Sequence, residues 1–154
     1  MSTRQLHLNA FIYPAGHHEA AWRHPRSQPH RVFDADYYQE IGKAAEAALF
    51  DAVFFADGPA LRSEAAYSTA GRLEPITVLG AIAAATERIG LIATASTTYY
   101  EPYNLARLFS TLDFISKGRA GWNIVTTSTD AAAENFGLTA HPDPVSRYKR
   151  AAEF

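Results

Sequence analysis

The chain has 154 residues, 47% hydrophobic and 19% charged, with a formal net charge of −2. That balance suits one ordinary globular domain with a core of useful size, and it offers no electrostatic footprint for nucleic acid or an anionic membrane surface. The absence of cysteine excludes disulfide scaffolds, thiolate catalysis and Cys-based zinc sites.

The opening Met1-Ser2-Thr3-Arg4-Gln5 is followed by no long apolar stretch, so no secretory leader is read and a cytoplasmic location is expected. The first strand is expected over Leu6 to Tyr13 and is stopped by Pro14 and Gly16. A long polar loop then runs from Ala15 to Val32, of the kind that usually carries function. Asp34 or Asp36 is expected to cap a helix ending near Leu49, with Tyr37, Ile41, Ala44, Ala45 and Ala48 as its buried stripe. Ala52 to Ala56 is a continuous apolar run, which suits a strand buried on both faces of a parallel sheet.

After a polar connection, Glu74-Pro75 opens a second helix with Ile76, Leu79 and Ala83 on one face. Leu91 to Thr97 predicts a third strand that becomes polar toward its carboxyl end. Glu101-Pro102 starts a third helix with Leu105, Leu108, Phe109, Leu112 and Ile115 as its stripe, and Lys117-Gly118 stops it. Arg119 to Thr126 predicts a fourth strand, and Ser146 to Phe154 opens another helix. Four strand–helix alternations with short turns argue for parallel βαβ units. Either a doubly wound sheet or a (β/α)₈ barrel accommodates them, and both place ligands at the carboxyl ends of the strands. A barrel typically needs about 250 residues, and the last helix opens only about two turns before residue 154, so a fragment is the expected reading whichever closure applies.

Phosphate-loop, dinucleotide, nucleophile-elbow and HExxH signatures are missing. Polar side chains do gather at the strand ends. Asp57, in Asp-Gly-Pro, is either a turn residue or a ligand contact. Thr94, Ser96, Thr97 and Thr98 either satisfy loop backbone or bond the heteroatom edge of a flat polar ring. Asn123 either reads such an edge or ties loops together. His17-His18 and His24, with Trp22, lie in the first loop, where a tandem pair lacks the convergent spacing of a metal site. Phe11, Tyr13 and Trp122 are expected in the core.

Three stretches together resemble one family: Glu87-Arg88-Ile89-Gly90-Leu91 through Ser96-Thr97-Thr98, then Glu101-Pro102-Tyr103-Asn104, then Leu112-Asp113-Phe114-Ile115-Ser116 through Gly121-Trp122-Asn123. Phe55-Ala56-Asp57-Gly58 and Arg147-Tyr148 agree. The family is the nitrilotriacetate, EDTA, alkane and dibenzothiophene-sulfone monooxygenases of the bacterial luciferase-like superfamily. The resemblance implies a luciferase-like (β/α)₈ barrel, of which residues 1–154 would be the N-terminal half with about four βα units, truncated before the C-terminal half, and a two-component, FMN-dependent monooxygenase. Reduced FMN would come from a separate NAD(P)H:flavin reductase, and O2 would oxidise a small organic substrate at a C–N, C–S or alkane C–H position. Carried over by motif, Asp57, Thr94, Ser96, Asn123, Thr126 and Tyr148 would contact FMN, and His17 would lie on the substrate side. Partners would be the reductase, and further copies in a full-length homo-oligomer, with no nucleic acid, membrane or metal. Phe114, where relatives commonly carry histidine, and the segment His141 to Ser146 depart from the family pattern. Relatives hold the FMN phosphate beyond position 154, so this stretch alone is expected to lack activity. A deazaflavin-dependent oxidoreductase and an inactive half-barrel remain as alternatives.

Overall fold

The computed structural model describes residues 4–60 and 71–154. Four strands, β1 (Asn9–Ile12), β2 (Ala52–Phe55), β3 (Gly90–Ser96) and β4 (Ala120–Val125), form one parallel sheet in the order β1-β2-β3-β4. Helices α1 (Ala35–Ala47), α2 (Pro75–Ala85) and α3 (Pro102–Ser116) alternate with them, and α1 packs on α2 and α2 on α3. A doubly wound sheet reverses its strand order at a switch point. Here every unit is laid down beside the previous one, with its helix against the previous helix. Right-handed crossovers in one direction put all helices on one side, the winding of a (β/α)₈ barrel. The order of strands, which periodicity does not encode, therefore separates the two closures.

The sheet has two unlike faces. Val53, Phe55, Leu91, Ala93 and Ala95 point to the helices and join Leu79, Ile82, Leu105 and Leu112 in the core. Trp122, paired in register with Ala93, packs on that side against Phe109 and Phe154, each with ring centroids 5.7 Å away. The opposite, inner face carries the register row Phe11, Phe54, Ile92 and Gly121. A Cβ on Gly121 would come within 3.1 Å of Ile92 Cγ1, so the small residue admits the branched one. Farther along the strands the inner row turns polar, with Thr94 opposite Asn123.

Local chemistry explains most element boundaries. Glu74 caps α2, its carboxylate accepting the backbone N–H groups of Ile76 and Thr77 at 2.8 Å each, with Pro75 in the first turn. Lys117 adopts a left-handed conformation (φ 60°) at the end of α3, and Gly118 follows at φ 85°. Asp34 occupies the N-cap position of α1 but makes no capping hydrogen bond; its carboxylate lies 3.6 Å from Arg31.

The buried stripe of α1 is rotated from the expected one. Tyr38, Gly42 and Ala45 are buried, Tyr37 and Ile41 are half-buried, and Ala44 and Ala48 are exposed. The cause is Gly42, where a Cβ would stand 2.5 Å from Ile82 Cγ2. The glycine lets α1 and α2 approach closely, and that contact fixes the helix's rotation. Tyr38 donates to the Val32 carbonyl at 2.7 Å, and burial pushes its phenol up to about 12. On α3, Leu105 and Leu112 are buried, whereas Leu108 and Ile115 are exposed at 43% and 54%. β1 is shorter than expected, since Leu6 and Leu8 are exposed and only Asn9–Ile12 pairs with β2.

At the amino ends of the strands, charged groups are bonded to backbone. Arg119 donates to the carbonyls of Ala83, Thr86, Ile89 and Ser116 and to Thr86 Oγ1, at 2.7–3.0 Å, closing the carboxyl end of α2. Glu46 accepts the N–H groups of Glu87, Arg88 and Ile89, and these bonds hold its carboxyl below the usual range. Asp51 accepts from Leu8 N at 2.6 Å and meets His7 Nδ1 at 3.0 Å.

Candidate functional site

The carboxyl ends of β2, β3 and β4 frame a cleft of about 210 Å³ lined by Asp57, Thr94, Ser96, Tyr99, Tyr100 and Phe136, among others. Its polar groups sit there for topological reasons. Parallel strands end on the same edge, and the residue after each strand emerges beside its neighbour's.

Ser96 Oγ accepts from Thr127 Oγ1 at 2.8 Å and from Thr98 N at 3.3 Å. With both lone pairs engaged, its own hydrogen is free for an acceptor in the cleft. Thr94 Oγ1 accepts from Asn123 Nδ2 at 2.9 Å, which leaves the Thr94 proton, the Asn123 oxygen and its second amide hydrogen available. Burial pushes the Asp57 carboxyl above its usual range, with the nearby Glu74 charge adding to it. Tyr100, on the same wall, is raised by burial and by the charges of Glu74 and Asp57. The cleft thus offers hydroxyl donors and a carboxyl raised by burial, with an amide beside them, groups of the kind that can hydrogen-bond the heteroatom edge of a planar polar ring.

One rim is built after β4. Thr127, at φ 60°, is a β-branched residue in the left-handed region, a costly conformation. It is held by its bond to Ser96 and by Arg147, whose guanidinium donates to the Thr127 carbonyl, to Thr126 Oγ1 at 2.8 Å and to the Pro142 carbonyl at 2.9 Å. Arg147 belongs to helix α5 (Pro144–Glu153), which is capped by Asp143 and tied down again by Arg150 donating to the carbonyls of Thr97 and Tyr100. A short helix α4 (Asp130–Asn135) intervenes and brings Phe136 into a stack on Tyr99 at 4.5 Å. The Tyr99 hydroxyl meets His141 Nδ1 at 2.5 Å, and His141 Nε2 is buried without a partner among the described residues.

Of the residues singled out from the sequence, Asp57, Thr94 and Ser96 line the cleft, and Asn123 adjoins it through Thr94. Thr126 lies on the rim, bonded to Arg147. Tyr148 is 67% exposed on α5 and does not line the cleft. His17 lies beside the carboxyl end of β1, the strand farthest from β4 in the sheet, packed on Phe11 and Tyr13 at centroid distances of 4.4 and 4.7 Å, and does not line the cleft. Phe11 and Tyr13, expected in the core, instead stand on the open inner face, Phe11 at 42% exposure; Trp122 alone of the three packs with the core. Sequence reasoning missed Phe136, Thr127 and the bracing role of Arg147. Short α4 has no apolar period, and a positive-φ threonine has no signature.

The family model described as luciferase-like monooxygenase matches residues 11–154. The chain is 45% identical over 165 residues to nitrilotriacetate monooxygenase component A of Aminobacter aminovorans, covering 99% of this chain and 36% of that protein. The EDTA monooxygenase structure from Chelativorans sp. BNC1 superposes with a TM-score of 0.91 at 34% identity, over 97% of this chain and 36% of that one. A riboflavin lyase solved with modified FMN and riboflavin superposes with a TM-score of 0.87, also at 34% identity, over 97% and 36% of the two chains. The chain therefore spans about a third of the length of these proteins.

Proposed function

Since this chain belongs to the luciferase-like monooxygenase family, we propose that it forms the flavin-facing wall of an FMN-dependent, two-component monooxygenase. One observation carries the reading: Asp57, Thr94 and Ser96, from two different strand ends, line one cleft, and Asn123 from a third is bonded to Thr94. The donor set suits the flavin ring, whose heteroatom edge presents acceptors and one N–H. A neighbour of the same fold was solved with modified FMN, and a relative is named as component A of its enzyme.

Reduced FMN, when bound, supplies the electrons with which O2 is activated to oxidise a small organic substrate at a C–N, C–S or alkane C–H position. The chain's own residues bind and orient. Ser96 and Thr94 donate to ring acceptors, Asn123 supplies both kinds of group, and Asp57 meets a ring N–H or shares its proton. Tyr99, Phe136 and Tyr100 exclude water from that side. Thr126 and Tyr148 approach the cofactor's outer portion, and His17 faces the substrate. The electron source is a separate NAD(P)H:flavin reductase.

Anaerobic titration with reduced FMN tests this. Ser96→Ala and Asn123→Ala are expected to weaken binding by about tenfold each, the loss of one or two hydrogen bonds in a dry site. Unchanged affinity in both variants would sink the assignment.

A further inference from the structure

Behind Ser96, the rim of the cleft holds a second layer of groups on which the ring-facing residues rest. Thr127 follows β4 at a φ of 60°, a region that costs a β-branched residue more than most. From that turn its hydroxyl donates to Ser96 Oγ at 2.8 Å, across the gap between the ends of β4 and β3. The Thr98 N–H takes the other lone pair of the same oxygen at 3.3 Å. Ser96 is only 4% exposed, so its remaining hydrogen is shielded from bulk water and has the cleft as its outlet. A Thr127 turn relaxed to an extended conformation would withdraw its hydroxyl, and the Ser96 hydrogen would be free to rotate away from the cleft.

Arg147 is what holds that turn. Its guanidinium donates to the Thr127 carbonyl, to Thr126 Oγ1 at 2.8 Å and to the Pro142 carbonyl at 2.9 Å. One planar fork thus joins both residues of the turn to the loop that leads into α5. The helix itself gains little from this residue, because a cation near the amino end of α5 opposes the helix dipole. Arg150, one turn later, reaches Glu101 at 3.8 Å, whereas Arg147 pairs with no carboxylate among the described residues. Arg147 also stands close to the cleft wall: burial raises the Tyr99 phenol, and the Arg147 charge opposes that rise.

We infer that Arg147 is a positioning residue for the cleft. By holding the Thr126-Thr127 turn it keeps the Thr127 hydroxyl on Ser96, and so aims the Ser96 hydrogen at the bound ring. The arginine acts through Thr127 and touches no ring atom itself. This rests on reading the cleft as the flavin site.

The test is anaerobic titration of the chain with reduced lumiflavin, which has the ring and no phosphate. Wild type is compared with Ser96→Ala, Arg147→Gln, Arg147→Lys and the double variant Arg147→Gln/Ser96→Ala. Arg147→Gln is expected to weaken binding about fivefold. Arg147→Lys, which keeps the charge and loses the fork, should recover only part of that. In the Ser96→Ala background, Arg147→Gln should add no loss, because the hydrogen it aims is gone. The visible spectrum of oxidised lumiflavin bound to Arg147→Gln should coincide with that on Ser96→Ala, which a general loosening of the rim would not produce. Undiminished binding by Arg147→Gln, or an equal loss in both backgrounds, overturns the inference. Should Arg147→Gln unfold, Arg147→Lys and Thr127→Val carry the test. Both should weaken lumiflavin binding and neither should add to Ser96→Ala; wild-type affinity in either one overturns the inference. A wild type that ignores lumiflavin overturns the flavin reading and this role with it, whereas binding indifferent to Arg147 overturns this role alone.

Discussion

The two ends of the sheet treat charge in opposite ways. At the amino edge, Arg119, Glu46 and Asp51 are bonded to main-chain groups of neighbouring units. At the carboxyl edge, Asp57 is half-buried, Arg72 rests on a tyrosine, and, among the described residues, Asp57 has no ion-pair partner and His141 Nε2 no hydrogen-bond partner. One edge satisfies its polar groups internally and holds the units together. The other has braces of its own in Arg147 and Arg150 and adds a cleft lined by Asp57, Thr94 and Ser96, the arrangement expected of a barrel whose stabilising end lies opposite its ligand end.

The comparison breaks most readily at Arg119. Arg119→Ala strands the carbonyls at the end of α2 and should lower unfolding free energy by about 3 kcal/mol, read as a drop in the urea midpoint with an unchanged slope. Glu46→Gln should cost about 2 kcal/mol at neutral pH. Because the Glu46 carboxyl is held below 4.5, its contribution is complete above that pH and lost as pH falls through the lower folded value. Wild type should therefore lose stability on acidification through that range, and Glu46→Gln should show a shallower acid limb.

Gly42→Ala comes next. The close approach to Ile82 Cγ2 opposes the gain in helix propensity, and a net loss of about 1 kcal/mol is expected from thermal unfolding. The smallest stability effect should come from the other edge. Burial raises the Asp57 carboxyl, so its charge opposes folding at neutral pH, and stability from this group rises as pH falls through the raised value. Asp57→Asn should leave stability unchanged or slightly higher while weakening reduced-FMN binding about tenfold. A substantial loss of stability in Asp57→Asn would erase the distinction between the edges.

Much of this was legible in the chain. The four strands, the helix starts at Glu74-Pro75 and Glu101-Pro102, and the stop at Lys117-Gly118 follow from apolar runs and capping chemistry, and they lie within a few residues of the observed bounds. Polar residues after apolar runs pointed to the carboxyl ends of the strands, where Asp57, Thr94 and Ser96 line one cleft. The α1 stripe was displaced because a glycine contact between helices, and no local period, sets its rotation. Phe11 and Tyr13 look like core residues by type, yet alternation puts them on the inner face.

Local chemistry, then, determined which segments become strands and helices, because hydrophobic period, proline, glycine and capping side chains act within a few residues of one another. Tertiary structure alone decided the one-directional strand order, the arginine braces at Arg119 and Arg147, and the placing of Arg72 over Tyr13, fifty-nine residues apart in the chain. Those depend on contacts between distant segments, which exist only once the sheet has brought its strand ends to one edge.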